Sequence, residues 1–167
     1  KGEYYQLEKF PVEPATLSEI PIIIGGGGKV KTPTLAGKYS EEFNIYAGPK
    51  ETLLNSINLF KTVATENGRD EQALEITTAC PPVVGLTKES VDNSLINAAK
   101  ALIQPEDEIA KNWKERSYLY GTPEDVVKTL SMWQEVGIEA VYLQLLNLEP
   151  SKRDESVEVI RQAINLL

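Results

Sequence analysis

Residues 21–32 read Pro-Ile-Ile-Ile-Gly-Gly-Gly-Gly-Lys-Val-Lys-Thr. Three β-branched residues after a proline predict a short strand buried on both faces, because a parallel strand covered by helices needs no alternation of polar and apolar side chains. The four glycines end this strand, and they permit positive φ angles and a close approach of the backbone to a ligand. The next periodic segment, from Thr32 to Tyr39, predicts a helix.

This order of strand, glycine turn and helix is typical of an anion-binding site. Backbone N–H groups and the positive end of the helix dipole converge on one point, and Lys29 and Lys31 lie beside it in the chain. We therefore predict a phosphate site at this turn. The alternative is a merely flexible turn, since the run lacks the Gly-Lys-Ser/Thr ending of a Walker loop and the spacing of the dinucleotide fingerprint.

The composition argues against several classes of function. A chain of 167 residues that is 41% hydrophobic suits one globular domain or a large piece of one. Its formal charge of −8 and its lack of a basic stripe make nucleic acid and anionic membrane surfaces unexpected partners. There is no histidine, which removes His-based triads and the usual zinc ligands. One cysteine, no signal peptide and no long apolar run predict a cytoplasmic protein.

The periodicity predicts a single unit over residues 1–167, with an irregular lead-in at 1–20 and four strand–helix units at 21–167. The strands are predicted around Ile22 and at 42–47, 73–79 and 138–146, with the third interrupted or ended by Pro81-Pro82. Helices are predicted at 32–39, 53–67, 87–103, 104–119, 122–137 and 154–167. Such alternation makes a parallel sheet flanked by helices, which is either a small doubly wound domain or half of an eightfold barrel.

Several residues with reactive or charged side chains are predicted to be structural. Cys80 stands beside two prolines with no histidine to activate it, so we expect it to be packed. Trp113 and Tyr142 are predicted to be packing residues of the interior. Glu41 and Glu42 are predicted to be solvated charges at a helix end.

The segments 21–28, 31–32 and 35–44, the last reading Leu-Ala-Gly-Lys-Tyr-Ser-Glu-Glu-Phe-Asn, resemble the second-half signature of the luciferase-like monooxygenases. The segments 66–70, 121–126 and 137–143 fit the same family, so the resemblance extends over about residues 4–167. It implies an α/β fold whose parallel strand–helix units form the second, C-terminal half of a (β/α)8 TIM barrel of the bacterial luciferase type. Members of this superfamily use FMN or the related deazaflavin coenzyme of the F-420 type.

The resemblance also implies a cofactor site. Three glycines and a threonine correspond to residues that hold the cofactor phosphate and ribityl chain, and Lys31 stands where the family often has arginine. Asn44 ends the second strand as in the family, and the loop after it reaches the phosphate in deazaflavin enzymes. The implied cofactor-binding residues are Gly25, Gly26, Gly27, Gly28, Lys31, Thr32, Asn44, Tyr46, Ala47 and Lys50. No catalytic or metal-binding residue is assigned.

The geometry of the barrel that the resemblance implies points to the same location. Ligands of eightfold barrels sit at the C-terminal ends of the strands, and phosphates are often held by loops of the second half. Three segments are expected to be loops of this kind: 25–31, 46–50 and 147–150.

The resemblance implies part of a flavin- or deazaflavin-dependent oxidoreductase or monooxygenase. This half would position the cofactor, and an N-terminal half would supply the first four strands, proton transfer and most of the pocket for a small organic substrate. A four-strand half-barrel leaves two strand edges and an apolar inner face, so an alternative is a non-catalytic or vestigial cofactor-binding module that associates with itself or with an N-terminal fragment. Another phosphate-binding barrel, such as an isomerase, lacks an assignable acid or base.

Overall fold

The fold is described from a computed structural model over residues 2–4, 6, 8, 17–145 and 150–167. Much of the predicted lead-in at 1–20 therefore lies outside the described residues. The end of the predicted fourth strand and residues 147–149 of the third predicted loop also lie outside them.

Strands and helices alternate along the chain, as the periodicity predicts. In chain order the elements are β1 (Ile23–Gly26), α1 (Lys31–Tyr39), β2 (Glu42–Tyr46), α2 (Lys50–Glu66), β3 (Glu75–Cys80), β4 (Val83–Val84), α3 (Lys88–Leu102), α4 (Glu106–Glu115), β5 (Tyr120–Gly121), α5 (Pro123–Glu135), β6 (Ala140–Leu143) and α6 (Pro150–Ile164). A 3-10 turn, Glu71–Ala73, precedes β3.

Four of these strands form one parallel sheet in the order β1, β2, β3, β6. The register sets Phe43 of β2 between Ile24 of β1 and Ile76 of β3. Helices α1 and α2 each connect a strand to its parallel neighbour. The predicted α/β class with parallel strand–helix units is therefore confirmed.

The side chains of β2 alternate between two different environments. Phe43 and Ile45 are buried in the helix-facing core, where the Phe43 ring lies 5.2 Å from that of Phe60 on α2. Glu42, Asn44 and Tyr46 lie on the other face, because successive side chains of a strand point to opposite sides. We call this second side of the sheet the inner face.

The prediction that the first strand is buried on both faces is wrong. Ile23 is 56% exposed, and Ile22, which precedes the strand, is exposed as well. The reason is position in the sheet, since β1 lies at one edge and, among the described strands, pairs only with β2. Helices cover the side of β1 that carries Ile24, which packs against the core.

A second, two-stranded sheet was not expected from the sequence. The third strand ends at Cys80, and Val83–Val84 instead pairs in parallel with Tyr120–Gly121. The Trp113 indole donates a hydrogen bond of 2.8 Å to the Pro81 carbonyl. Trp113 also joins a small apolar cluster with Val83 and Ile109, so its predicted packing role is confirmed.

The two ends of α3 differ in how well their residues stabilise the helix terminus. Thr87 and Ser90 form a reciprocal capping box at its start, as expected for a helix that begins at this threonine. At its end Ile103 adopts a left-handed conformation, with φ 54° and ψ 46°. A β-branched residue is strained in this region, which glycine usually occupies.

We expect Ile103→Gly to raise the free energy of unfolding by about 0.5–1 kcal/mol. Relief of about 1–2 kcal/mol of left-handed strain should exceed the extra unfolded-state freedom of glycine, and the Ile103 side chain is 92% exposed and loses little burial. Urea denaturation measures the difference. Ile103→Ala is the control, because it keeps the Cβ; equal stabilisation by alanine would show that left-handed strain is not the cause.

Candidate functional site

The glycine turn packs directly against the first helical turn of α1. A Cβ on Gly28 would lie 2.5 Å from the Thr32 hydroxyl oxygen, and one on Gly26, where φ is +149°, would lie 3.2 Å from Thr32 Cγ2. A Cβ on Gly27 would lie 2.9 Å from Cδ2 of Tyr46 at the end of β2. The backbone of the turn, the Thr32 hydroxyl and the Tyr46 ring therefore form one continuous surface that only glycine permits.

The electrostatics at the start of α1 favour an anion. Val30 precedes the helix, and within the described residues no side chain caps its N-terminus. The first turn carries no acid, while Lys29 and Lys31 are exposed beside it. Two lysines at the positive end of a helix dipole are unfavourable by themselves, and a bound phosphate would reverse the sign of that interaction.

The three predicted cofactor-binding residues after Asn44 lie in different surroundings. Tyr46 is exposed on the inner face beside Gly27. Ala47 is buried in the helix-facing core. Lys50 lies at the start of α2, where its Nζ is 2.5 Å from Glu135 Oε2 in an exposed ion pair. The geometry thus joins the glycine turn, Thr32 and Tyr46, and it directs Ala47 and Lys50 into other contacts.

Asn44 belongs to a chain of polar side chains across the inner face. Its Nδ2 donates to Thr77 Oγ1 at 2.7 Å, and that hydroxyl donates to Glu42 Oε1 at 2.5 Å. The Tyr142 hydroxyl donates to the other Glu42 oxygen at 3.2 Å. We call these four residues the inner-face cluster.

Two sequence-based expectations about this cluster are wrong. Glu42, expected as a solvated charge, is only 6% exposed, because Thr77 and Tyr142 approach it across neighbouring strands. Tyr142, expected in the core, is 49% exposed, because β6 is an edge strand and the ring lies on the inner face. Desolvation and the Glu42 carboxylate raise the pKa of Tyr142.

Part of the cluster has a signal in the sequence. Glu42 and Asn44 are polar at positions i and i+2 of a strand, and Thr77 is polar in the next parallel strand. The polar positions mark one face of each strand, and the observed register, which pairs Asn44 with Thr77, brings the three residues together.

Glu41 and Arg69 form a separate contact at the other end of α1. The Ile22 N–H donates to Glu41 Oε2 at 2.7 Å, which lowers the pKa of that carboxyl together with the weaker influence of Arg69. Arg69 also donates to the Ala36 and Gly37 carbonyls at the end of α1. Glu41 remains partly exposed and is a structural tie between β1 and the helices.

Cys80 is buried in the core, as expected for a packed residue. Burial raises the pKa of its thiol to about 11, so the neutral form prevails near pH 7 and a nucleophilic role is disfavoured. Across the described ranges, no three metal-ligating side chains are grouped to hold an ion. None of the helices in those ranges is long and apolar enough to cross a membrane.

Comparison with known proteins identifies a family. The model for luciferase-like monooxygenases matches residues 1–140, whereas no curated protein sequence matches the chain.

Several solved structures share the fold. An F420-dependent secondary alcohol dehydrogenase, solved with an F420–acetone adduct, superposes with a TM-score of 0.69 at 24% identity, over 98% of this chain and 55% of that one. EDTA monooxygenase from Chelativorans sp. BNC1 gives 0.67 at 15% identity, over 99% and 50%. A riboflavin lyase with modified FMN and riboflavin gives 0.58 at 14% identity, over 87% and 42%.

The chain spans about half the length of these structures. At identities below 25%, these structural similarities establish the fold alone. The shared fold confirms the predicted luciferase-like barrel architecture. The predicted resemblance to the luciferase-like family is confirmed by the family match as well.

The packing of Gly28 against Thr32 can be tested by a double-mutant cycle. We expect Gly28→Ala to lower the free energy of unfolding by about 1–3 kcal/mol, since the new methyl group overpacks the turn against the Thr32 hydroxyl. In a Thr32→Ala background the cost should fall below half of this value. Gly48→Ala is the control, because no atom lies within 4 Å of its Cβ position. An equal cost in both backgrounds would contradict the contact.

Proposed function

Because the chain belongs to the luciferase-like monooxygenase family, we propose that it forms the part of a flavin- or deazaflavin-dependent oxidoreductase that binds the cofactor phosphate and ribityl chain. The observation that carries the proposal is the uncapped start of α1 beneath the glycine turn. It combines backbone donors, the Thr32 hydroxyl and two lysines at one place.

The donor set suits a phosphate on a ribityl chain. Backbone N–H groups of the turn and the Thr32 hydroxyl can donate to phosphate oxygens, and Lys31 adds positive charge within a protein whose total charge is −8. FMN and the deazaflavin coenzyme both carry a ribityl phosphate, so this site would recognise the part that they share. The similar structures with F420 and with modified FMN support either coenzyme.

The bound coenzyme would supply the redox chemistry, and this chain would bind and orient it. Gly25–Gly28 and Thr32 would hold the phosphate end, and the exposed Tyr46 ring would line the same surface. Asn44 would face the coenzyme from the inner face of the sheet. We assign proton transfer and most contacts with a small organic substrate to a complementary N-terminal half, on this or another polypeptide.

The phosphate contribution is measured by comparing FMN with riboflavin, which lacks the phosphate. We expect FMN to bind at least tenfold more tightly, and Lys31→Ala or Thr32→Val to reduce that advantage roughly tenfold, because each removes a charge-assisted contact worth about 1.5–3 kcal/mol. Flavin fluorescence titrations give both affinities, and coenzyme F420 in the same titration ranks the two coenzymes. Lys38→Ala is the matched control, a lysine in the last turn of the same helix. Equal affinity of the native chain for FMN and riboflavin would refute the phosphate site.

A second function is a cofactor-binding module that associates with itself or with an N-terminal fragment. The observation that favours it is the open sheet, in which β1 and β6 are the two edges of the described strand order and Ile23 and Tyr142 are exposed on the inner face. Unpaired strand edges and exposed apolar side chains promote association.

Native mass spectrometry of the purified chain, with and without FMN, separates the two functions. A complex with a second polypeptide and one flavin would support the oxidoreductase half. A dimer of the chain alone, without redox activity, would support the module. A chain that stays monomeric and gains only the mass of one FMN would contradict the need for any partner in cofactor binding.

A further inference from the structure

The inner-face cluster contains the one carboxylate that the described residues bury. Glu42 has a hydroxyl on each of its oxygens, with Thr77 at 2.5 Å and Tyr142 at 3.2 Å. A carboxylate only accepts hydrogen bonds, and short O–H···O contacts of this kind are typical of a charged acceptor. The Thr77 hydroxyl therefore donates its one proton to Glu42.

The hydrogen bond from Thr77 to Glu42 determines the orientation of the Asn44 side-chain amide. The Thr77 oxygen has given its proton to Glu42 and can only accept from Asn44. The group facing Thr77 is therefore the Nδ2 donor, at 2.7 Å, and a flipped amide would set two acceptors against each other. The side-chain oxygen of Asn44, Oδ1, therefore faces β1, where a Cβ on Gly25 would lie 3.9 Å from it.

The location of this oxygen connects it to the glycine turn. Gly25 pairs with Asn44 across the two strands, and it is the first glycine of the turn. Asn44 is only partly buried, so its oxygen is accessible from the inner face. A ligand held by the glycine turn would meet an acceptor there, and not a donor.

We propose that Glu42 and Thr77 are positioning residues that hold the Asn44 side-chain oxygen as a hydrogen-bond acceptor for a hydroxyl or ring N–H group of the ligand seated beside the glycine turn. This inference rests on the proposed function for the identity of the ligand, a flavin-type coenzyme. The orientation of the amide depends on the chain alone. Substrate or coenzyme groups that only accept hydrogen bonds would be excluded from this point.

The orientation is tested without ligand by NMR of the Asn44 side-chain amide in ¹⁵N-asparagine-labelled protein. We expect one of the two Asn44 amide protons to exchange slowly in the native chain, since it is hydrogen-bonded to Thr77. It should exchange faster in Thr77→Val and Glu42→Gln, because Thr77 loses its hydroxyl or its fixed acceptor partner. Thr77→Ser keeps the hydroxyl and should restore the native signal. Rapid exchange in the native chain, or no change in Thr77→Val, would overturn the proposal.

The consequence for binding is tested with riboflavin and FMN as probes. Thr77→Val and Glu42→Gln should lower the affinity for riboflavin and for FMN by the same factor, roughly three- to tenfold for one hydrogen bond. The ratio of the two affinities should stay unchanged. Thr77→Ser should restore binding. Native-like affinity of Thr77→Val for both flavins would refute the acceptor role.

A matched control separates positioning from general stability. Thr78 is the adjacent threonine, but its hydroxyl donates to the Ile45 carbonyl at 2.8 Å on the core side. Thr78→Val should lower the free energy of unfolding without changing flavin affinity of the folded chain, and an equal loss of affinity would overturn the positioning role. Failure of the proposed function would appear differently, as equal affinities of the native chain for FMN and riboflavin. If neither the flavins nor coenzyme F420 bind, the proposed function fails and the amide spectrum still decides the orientation.

Discussion

The parallel register of β2 with β1 and β3 is the constraint on which the rest of the structure depends. It sets Gly25 beside Asn44 and Asn44 beside Thr77. It also turns Phe43 towards the helices while Glu42 faces inward. A slip of one residue would exchange the two faces of the strand and bury charge in the core. The same register therefore produces the apolar packing under the helices and the polar cluster inside.

The glycine turn joins that register to the start of α1, where we propose that a phosphate binds. Because Gly27 and Gly28 lack side chains, the chain can pass close to Tyr46 and Thr32 and present its backbone at the start of α1. The local field there is positive although the chain as a whole is acidic. Over short distances the helix dipole and nearby lysines dominate, since salt screens charges beyond about 8–10 Å.

The inner face of the sheet holds a buried carboxylate within a hydrogen-bonded cluster. Its cluster satisfies a buried carboxylate through two hydroxyls, which lowers the cost of removing that charge from water. Edge strands at both ends leave Ile23 and Tyr142 exposed. The chain spans about half the length of the similar structures, and the complementary half that we propose would cover these side chains.

The elements whose causes are local can be predicted from the sequence alone. The isoleucines and glycines of 21–28, the capping box at Thr87 and the alternation of strands and helices depend on residues close in the chain, so pattern and propensity suffice for them. The partners of Glu42, Tyr142 and Lys50 depend on how the strands and helices pack together. Thr77 lies 35 positions from Glu42, and Glu135 lies 85 positions from Lys50. Burial and hydrogen bonding at such separations follow from strand order and register, which no single stretch of sequence encodes.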